Sequence, residues 1–299
     1  MKTTFTFLFF IAVLFVGCEK NGICFDATLT DGFCIVANNK VILNRKDIDY
    51  YDYSTHLIYL KADNSFNNSI DFVGTFTIFA DRVQIYKGAT LPPYSSYMPS
   101  GPVLMGHYLP LANYIVPIDL TQRLDSLGNV LPDPCEDVRI VNALKKYDQF
   151  HAGLSCEIKS VQYLAPNKVK VELVLKNNDS FNYYYLDPDK MGVGLFHYFT
   201  NGLSIRDFVG HKSYTHPIST VKPEPWNSWK KEWISVINGN EHKTITITYT
   251  DFELVPPGRY KATFNYPGLS YQVEKKDISQ ENGQIWLGYL YMIKEITIQ

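Results

Sequence analysis

Three of the chain's four tryptophans, Trp226, Trp229 and Trp233, follow one another at intervals of three and four residues within PEPWNSWKKEWISV. On a short helix that spacing places the rings on one face. Lys222, Lys230 and Lys231 stand among them as hydrogen-bond donors. Exposed, such a group is a stacking platform for a sugar or for a partner's side chains. Buried, it packs over the open end of a β domain. A second aromatic group, with Tyr94 and Tyr97, lies in the stretch from Gly88 to Ile118, which contains no Asp, Glu, Lys or Arg. A loop of that length in a compact domain is usually functional or disordered, and aromatic content argues against disorder. The stretch reads either as a binding segment or as a long crossover packed on its own domain.

Metal and catalytic patterns are weaker. Asp187 to Gly192, DPDKMG, offers carboxylates at alternate positions and a turn glycine, but Met191 stands where a calcium loop needs a third ligand, and no Glu follows six residues after Gly192. A turn capped by Asp187 is the expectation. His197, His211 and His216 share one region at spacings that match no compact zinc site. There is no GxxxxGK phosphate loop, GxSxG elbow or HExxH helix, and Gly192-x-Gly194 is too little for a dinucleotide turn. No metal, cofactor or catalytic residue is expected.

The five cysteines carry the remaining chemistry. Cys18 follows the apolar run Phe5–Val16, which has Lys2 ahead of it and no charge until Glu19. A cation followed by a short apolar core is a signal-peptide pattern. The run falls short of the roughly 20 apolar residues of a spanning helix. The box Phe15-Val16-Gly17-Cys18 resembles the cleavage site of bacterial lipoprotein precursors, where a small residue precedes an obligatory cysteine. That resemblance implies cleavage after Gly17, acylation of Cys18, a tether over 18–24, and anchoring in the outer membrane of an envelope like that of Bacteroidota. It also accounts for an odd cysteine count in an exported chain. Cys24, Cys34, Cys135 and Cys156 then remain, in an oxidising compartment. Three pairings are open. Cys24–Cys34 and Cys135–Cys156 are favoured because each closes a short loop, at about 3 kcal/mol per bridge in the chain-entropy picture.

The chain of 299 residues, 45% hydrophobic and 19% charged, is long enough for two ordinary domains. A net charge of −2 leaves no cationic footprint for nucleic acid. The 22 Tyr and 18 Phe favour strands. Val169, Val171, Leu173 and Leu175 alternate along VKVELVL, as do Ile245, Ile247 and Tyr249 along TITITYT, which predicts half-buried antiparallel strands. GTFTIF and RVQIYK flank Ala80-Asp81 as a hairpin. HLIYLK, from His56 to Lys61, reads as a more buried strand. One helix is predicted, with Asp133 as cap, Pro134 in the first position, Glu136 three residues on, and an apolar face of Ile140, Ala143, Leu144 and Tyr147. The expected organisation is a signal peptide over 1–17, the tether, an N-terminal β domain over 25–125, a linker and helix over 126–152, and a second β domain over 153–299.

In the second domain LVPPGRYKATF, Leu254 to Phe264, resembles the corner of immunoglobulin-like and fibronectin-III-like sandwiches, with Tyr260 at the corner position and Leu254, Pro256 and Gly258 in the turn before it. The expected fold class is therefore all-β, two β-rich domains with one short helix between them, the second an immunoglobulin-like sandwich. The expected role is non-catalytic: a membrane-anchored module that holds a glycan or protein partner. A proteinase inhibitor presented on the sandwich, or a hydrolase with an unlinked site, are the alternatives.

Overall fold

The structure, a computed structural model, describes residues 29–61, 74–91, 95, 99, 101–105, 111–120, 132–165, 167–208, 212–269 and 273–299. Cys18, Cys24, Tyr94, Tyr97 and His211 lie outside the described residues.

The first half is one nine-stranded sheet. Its strands are β1 (Phe33–Ala37), β2 (Lys40–Asn44), β3 (Ile48–Asp52), β4 (Leu57–Leu60), β5 (Gly74–Ala80), β6 (Val83–Leu91), β7 (Pro102–Met105), β8 (Ile115–Leu120) and the later β9 (Phe150–His151). They pair in the order β2-β1-β5-β6-β7-β8-β4-β3-β9. The predicted hairpin is β5–β6, with Ala80 opposite Val83 and the turn at Asp81 and Arg82, at φ 45° and 68°. Asn38 and Asn39, at φ 49° and 59°, turn β1 into β2 in the same way. Two left-handed residues in a two-residue loop match the natural strand twist.

The uncharged stretch Gly88–Ile118 is partly strand among its described residues. It holds the end of β6, all of β7 and the start of β8. Val103 and Leu104 are wholly buried, so β7 is covered on both faces and lacks the alternation that reveals a half-exposed strand.

The predicted helix begins later than its Pro suggests. Asp133 accepts from the Cys135 N–H and caps a 3-10 turn, Pro134–Glu136; Asp137 then caps α1 (Val138–Lys145) by accepting from the Arg139 N–H. Two acids in succession thus share the caps that one was expected to supply. Ile140, Ala143 and Leu144 are buried as expected, while Tyr147 lies past the helix, its ring beneath the Arg45 guanidinium. β9 returns into the first sheet, parallel to β3.

The second half contains β10 (Leu154–Ala165), β11 (Lys168–Asn177), β12 (Tyr183–Leu186), α2 (Pro188–Met191), α3 (Val193–Phe196), β13 (Leu203–Asp207), β14 (Ser213–Tyr214), β15 (Ile234–Ile237), β16 (His242–Tyr249), β17 (Gly258–Tyr266), α4 (Lys275–Ile278), β18 (Ser279–Gln280), β19 (Gly283–Ile285) and β20 (Leu290–Ile298). A sheet β10-β11-β16 and a sheet β14-β13-β17-β20 form the sandwich, and β15-β12-β19-β18 is an added sheet. Val171 lies opposite Ile247 and Leu173 opposite Ile245, so the two alternating runs present one buried face. From the facing sheet come Leu203, Ile205, Ala262 and Phe264, all buried. Tyr260 makes the predicted corner: its hydroxyl donates to the Pro256 carbonyl at 2.9 Å. The chain is all-β with two β-rich halves. One continuous buried cluster runs through both.

The expected Cys135–Cys156 bridge is not formed; Cys34, Cys135 and Cys156 are unbridged. Nearness in sequence misled, because Cys135 turns inward to the Tyr86 hydroxyl, 3.2 Å away, while Cys156 sits half-buried on β10. Cys34 packs with Val36 and Phe79. Burial pushes the Cys34 thiol up to about 11 and the Cys156 thiol to about 12, so neither is a reactive thiolate. Among the described residues no helix is long and apolar enough to cross a membrane.

Candidate functional site

The tryptophans do not share a face. Residues 221–230 are irregular, and only Lys231–Trp233 makes a 3-10 turn. Trp226 is 52% exposed, Trp229 is half-buried against the core, and Trp233 is buried with its ring 6.1 Å from that of Phe199. Lys230 is exposed. The segment therefore grades from core to surface.

Its surface end borders a cleft. The Tyr198 hydroxyl donates to the Trp226 carbonyl at 3.4 Å. Tyr198 and Phe199 also line a cavity of about 390 Å³ together with Thr200, Asn201, Asn265, Tyr266, Pro267, Gly268, Gly288 and Tyr289. Three segments converge here: the turn after α3, the end of β17, and the entry to β20. They approach closely because of glycine. A Cβ on Gly268 would collide with the backbone of Leu287 and Gly288. The Thr200 hydroxyl donates to the Asn265 carbonyl and accepts from the Gly202 N–H, which fixes two walls against each other. Among the described residues no acid or base lines the cleft. Aromatic faces, amides and hydroxyls do, the groups that bind neutral polar molecules with apolar faces.

A second cleft, of about 350 Å³, shares Tyr289 with the first and is also lined by Tyr53, His56, Asp133, Glu136, Cys156, Asn178 and Tyr291. Behind it stands a polar group. His56, in the left-handed region at φ 53°, hydrogen-bonds through Nδ1 with the Tyr51 hydroxyl at 2.9 Å, and its Nε2 lies 3.6 Å from Asp133 Oδ2. The donor atoms of His56, Asp133 and Cys135 lie within 4.8 Å of one another. Asp133 was singled out in the sequence as a cap and Cys135 as half of a bridge. His56 carried no signal, because a lone histidine at a strand start is uninformative.

His197 and His216 are brought together, with ring centroids 4.7 Å apart, but as packing. The His197 Nδ1 lies 2.7 Å from the Val193 carbonyl, its Nε2 lies 3.2 Å from the Tyr249 hydroxyl, and His216 stacks on Tyr249 at 4.4 Å. Burial lowers both imidazoles, His216 to about 4 with help from the His197 charge. Asp187 caps α2 as expected, accepting from the Asp189 N–H and from the Ser235 hydroxyl.

No protein-family model and no curated protein matches the chain. Among solved structures, a β-glucosidase from Kluyveromyces marxianus is similar over 49% of this chain, at 12% identity and a TM-score of 0.22, and the similar part spans 14% of that enzyme. The yjhA protein from Bacillus subtilis is similar over 42% of this chain and 79% of its own, at 13% identity and a TM-score of 0.23. At these scores neither likeness bears on function.

Proposed function

We propose that the chain is a lipoprotein of the outer envelope, attached to the membrane through Cys18, that holds a neutral glycan without transforming it. One observation carries the glycan reading: the cleft of about 390 Å³ is bounded by Tyr198, Phe199 and Tyr289, supplied with amides by Asn201 and Asn265, and lined by no charged residue among those described. A pyranose presents an apolar face to an aromatic ring and a rim of hydroxyls to amides, and a neutral cleft selects neither anions nor cations. Tyr289 is 47% exposed and Trp226 beside the cleft is 52% exposed, so large rings meet solvent where a ligand would enter. The sequence pattern around Cys18 supports the anchor. A glycan array probed with the purified chain tests the reading: retention on neutral oligosaccharides is expected, and retention on none, or only on acidic ones, contradicts it.

A further inference from the structure

We propose that His56, Asp133 and Cys135 form a zinc site with one coordination position open to the second cleft. The three donors come from two segments far apart in sequence, the start of β4 and the 3-10 turn ahead of α1, and their ligand atoms converge to within 4.8 Å of one another. The His56 Nε2 to Asp133 Oδ2 distance is 3.6 Å. That is too long for a hydrogen bond. It is close to the separation of about 3.4 Å that two ligands at zinc-bond lengths subtend on a tetrahedral ion.

Each donor is held by a different partner, as ligands of a metal site are. The Tyr51 hydroxyl engages His56 Nδ1, which leaves Nε2 directed at the other two. Asp133 Oδ1 accepts from the Cys135 N–H at 2.9 Å, which turns Oδ2 toward His56. The Tyr86 hydroxyl lies 3.2 Å from Cys135 Sγ, where it can donate to a thiolate. The donor set chooses the ion. A thiolate excludes calcium and magnesium, which take oxygen alone. One imidazole, one carboxylate and one thiolate suit zinc.

A cysteine–histidine–aspartate nucleophile is the competing use of these residues, and access argues against it. Cys135 is wholly buried and does not border the cleft, whereas His56 and Asp133 do. Three protein ligands with one side facing a cavity is the arrangement of an exchangeable zinc position, where water or a ligand oxygen completes the tetrahedron. The second cleft shares Tyr289 with the glycan cleft, but none of the three donors lines the latter.

The test uses the purified, reduced full chain, stripped with chelator and titrated with cobalt(II) and then zinc(II). One equivalent of cobalt is expected to give a thiolate-to-metal band in the near ultraviolet, discharged by zinc. Cys135→Ser abolishes the band, and Tyr51→Phe weakens zinc binding about 10- to 100-fold. X-ray absorption on the zinc-loaded unmodified chain, which requires no variant to fold, should find one sulfur at about 2.3 Å and nitrogen or oxygen at about 2.0–2.2 Å. Failure to retain one equivalent, a sulfur count of zero or of two or more, or a band that survives Cys135→Ser would overturn the proposal.

Discussion

The Trp286 indole donates a hydrogen bond to Asp52 Oδ2 at 3.0 Å, joining residues 234 positions apart. Asp52 is 1% exposed at the end of β3, and its other oxygen accepts from the Ser54 N–H and hydroxyl. The contact ties the added sheet of the second half to the first sheet. Gly153 lies against the same carboxylate at φ +73°, where a Cβ would strike Asp52 and Ser54. Burial raises the Asp52 carboxyl to about 6, against the opposing pull of Ser54, Thr55 and Trp286.

A pH signature follows. From about pH 4 to 6 the folded chain keeps a proton on Asp52 that the unfolded chain has released, so this group's contribution to stability falls as pH rises, by about 3 kcal/mol for a shift of two units. His216 acts oppositely. Its folded value is lowered to about 4, so the unfolded chain binds the extra proton and stability rises with pH over a similar window. Denaturant midpoints at pH 4, 5 and 6 should therefore slope more steeply upward with pH in Asp52→Asn than in the unmodified chain. In His216→Phe they should slope less steeply upward than in the unmodified chain. Parallel profiles in all three proteins would contradict both assignments.

Trp233 and Trp226 mark the two ends of the tryptophan segment. Trp233→Ala empties a buried ring site and should cost about 3–5 kcal/mol. Trp226→Ala removes a ring 52% exposed and should change stability by no more than about 0.5 kcal/mol. Thermal or denaturant unfolding separates them, and equal losses would show that the segment packs as a unit.

The corner hydroxyl has a small, specific effect. Tyr260→Phe keeps the buried ring and deletes the hydroxyl that bonds the Pro256 carbonyl and the Tyr214 side chain, so a loss of about 1 kcal/mol is expected. A loss below the error of chemical denaturation would mean that the ring alone holds the corner.

Cys18→Ser should move the protein from the membrane pellet to the soluble fraction. Stable attachment takes more than one acyl chain, each buried methylene adding about 0.8 kcal/mol. Persistence of the variant in salt-washed membranes would remove the anchor from the account.

Legibility in the sequence followed exposure. β11 and β16 alternate because one face meets water, and Tyr260 could be placed from the turn before it. β7 escaped because both its faces are covered. The tryptophan spacing suggested a helix, whereas residues 221–230 are irregular and only Lys231–Trp233 turns. Both clefts were illegible for another reason. Tyr198, Asn265 and Tyr289 meet only through the crossing of three segments, and His56 meets Asp133 only because the residue ahead of β4 comes against the turn ahead of α1. Neither convergence leaves a local pattern.

Calorimetric titration of the purified chain with a neutral oligosaccharide retained on the array, beside Tyr289→Ala, shows whether the cleft between Tyr198 and Tyr289 holds a sugar. The unmodified chain should bind one equivalent. Tyr289→Ala should weaken binding at least about tenfold, the equivalent of 1.4 kcal/mol, with an unchanged melting temperature because the ring is half in solvent. Equal affinity in the two proteins, or no binding by the unmodified chain, would contradict a glycan cleft at this place.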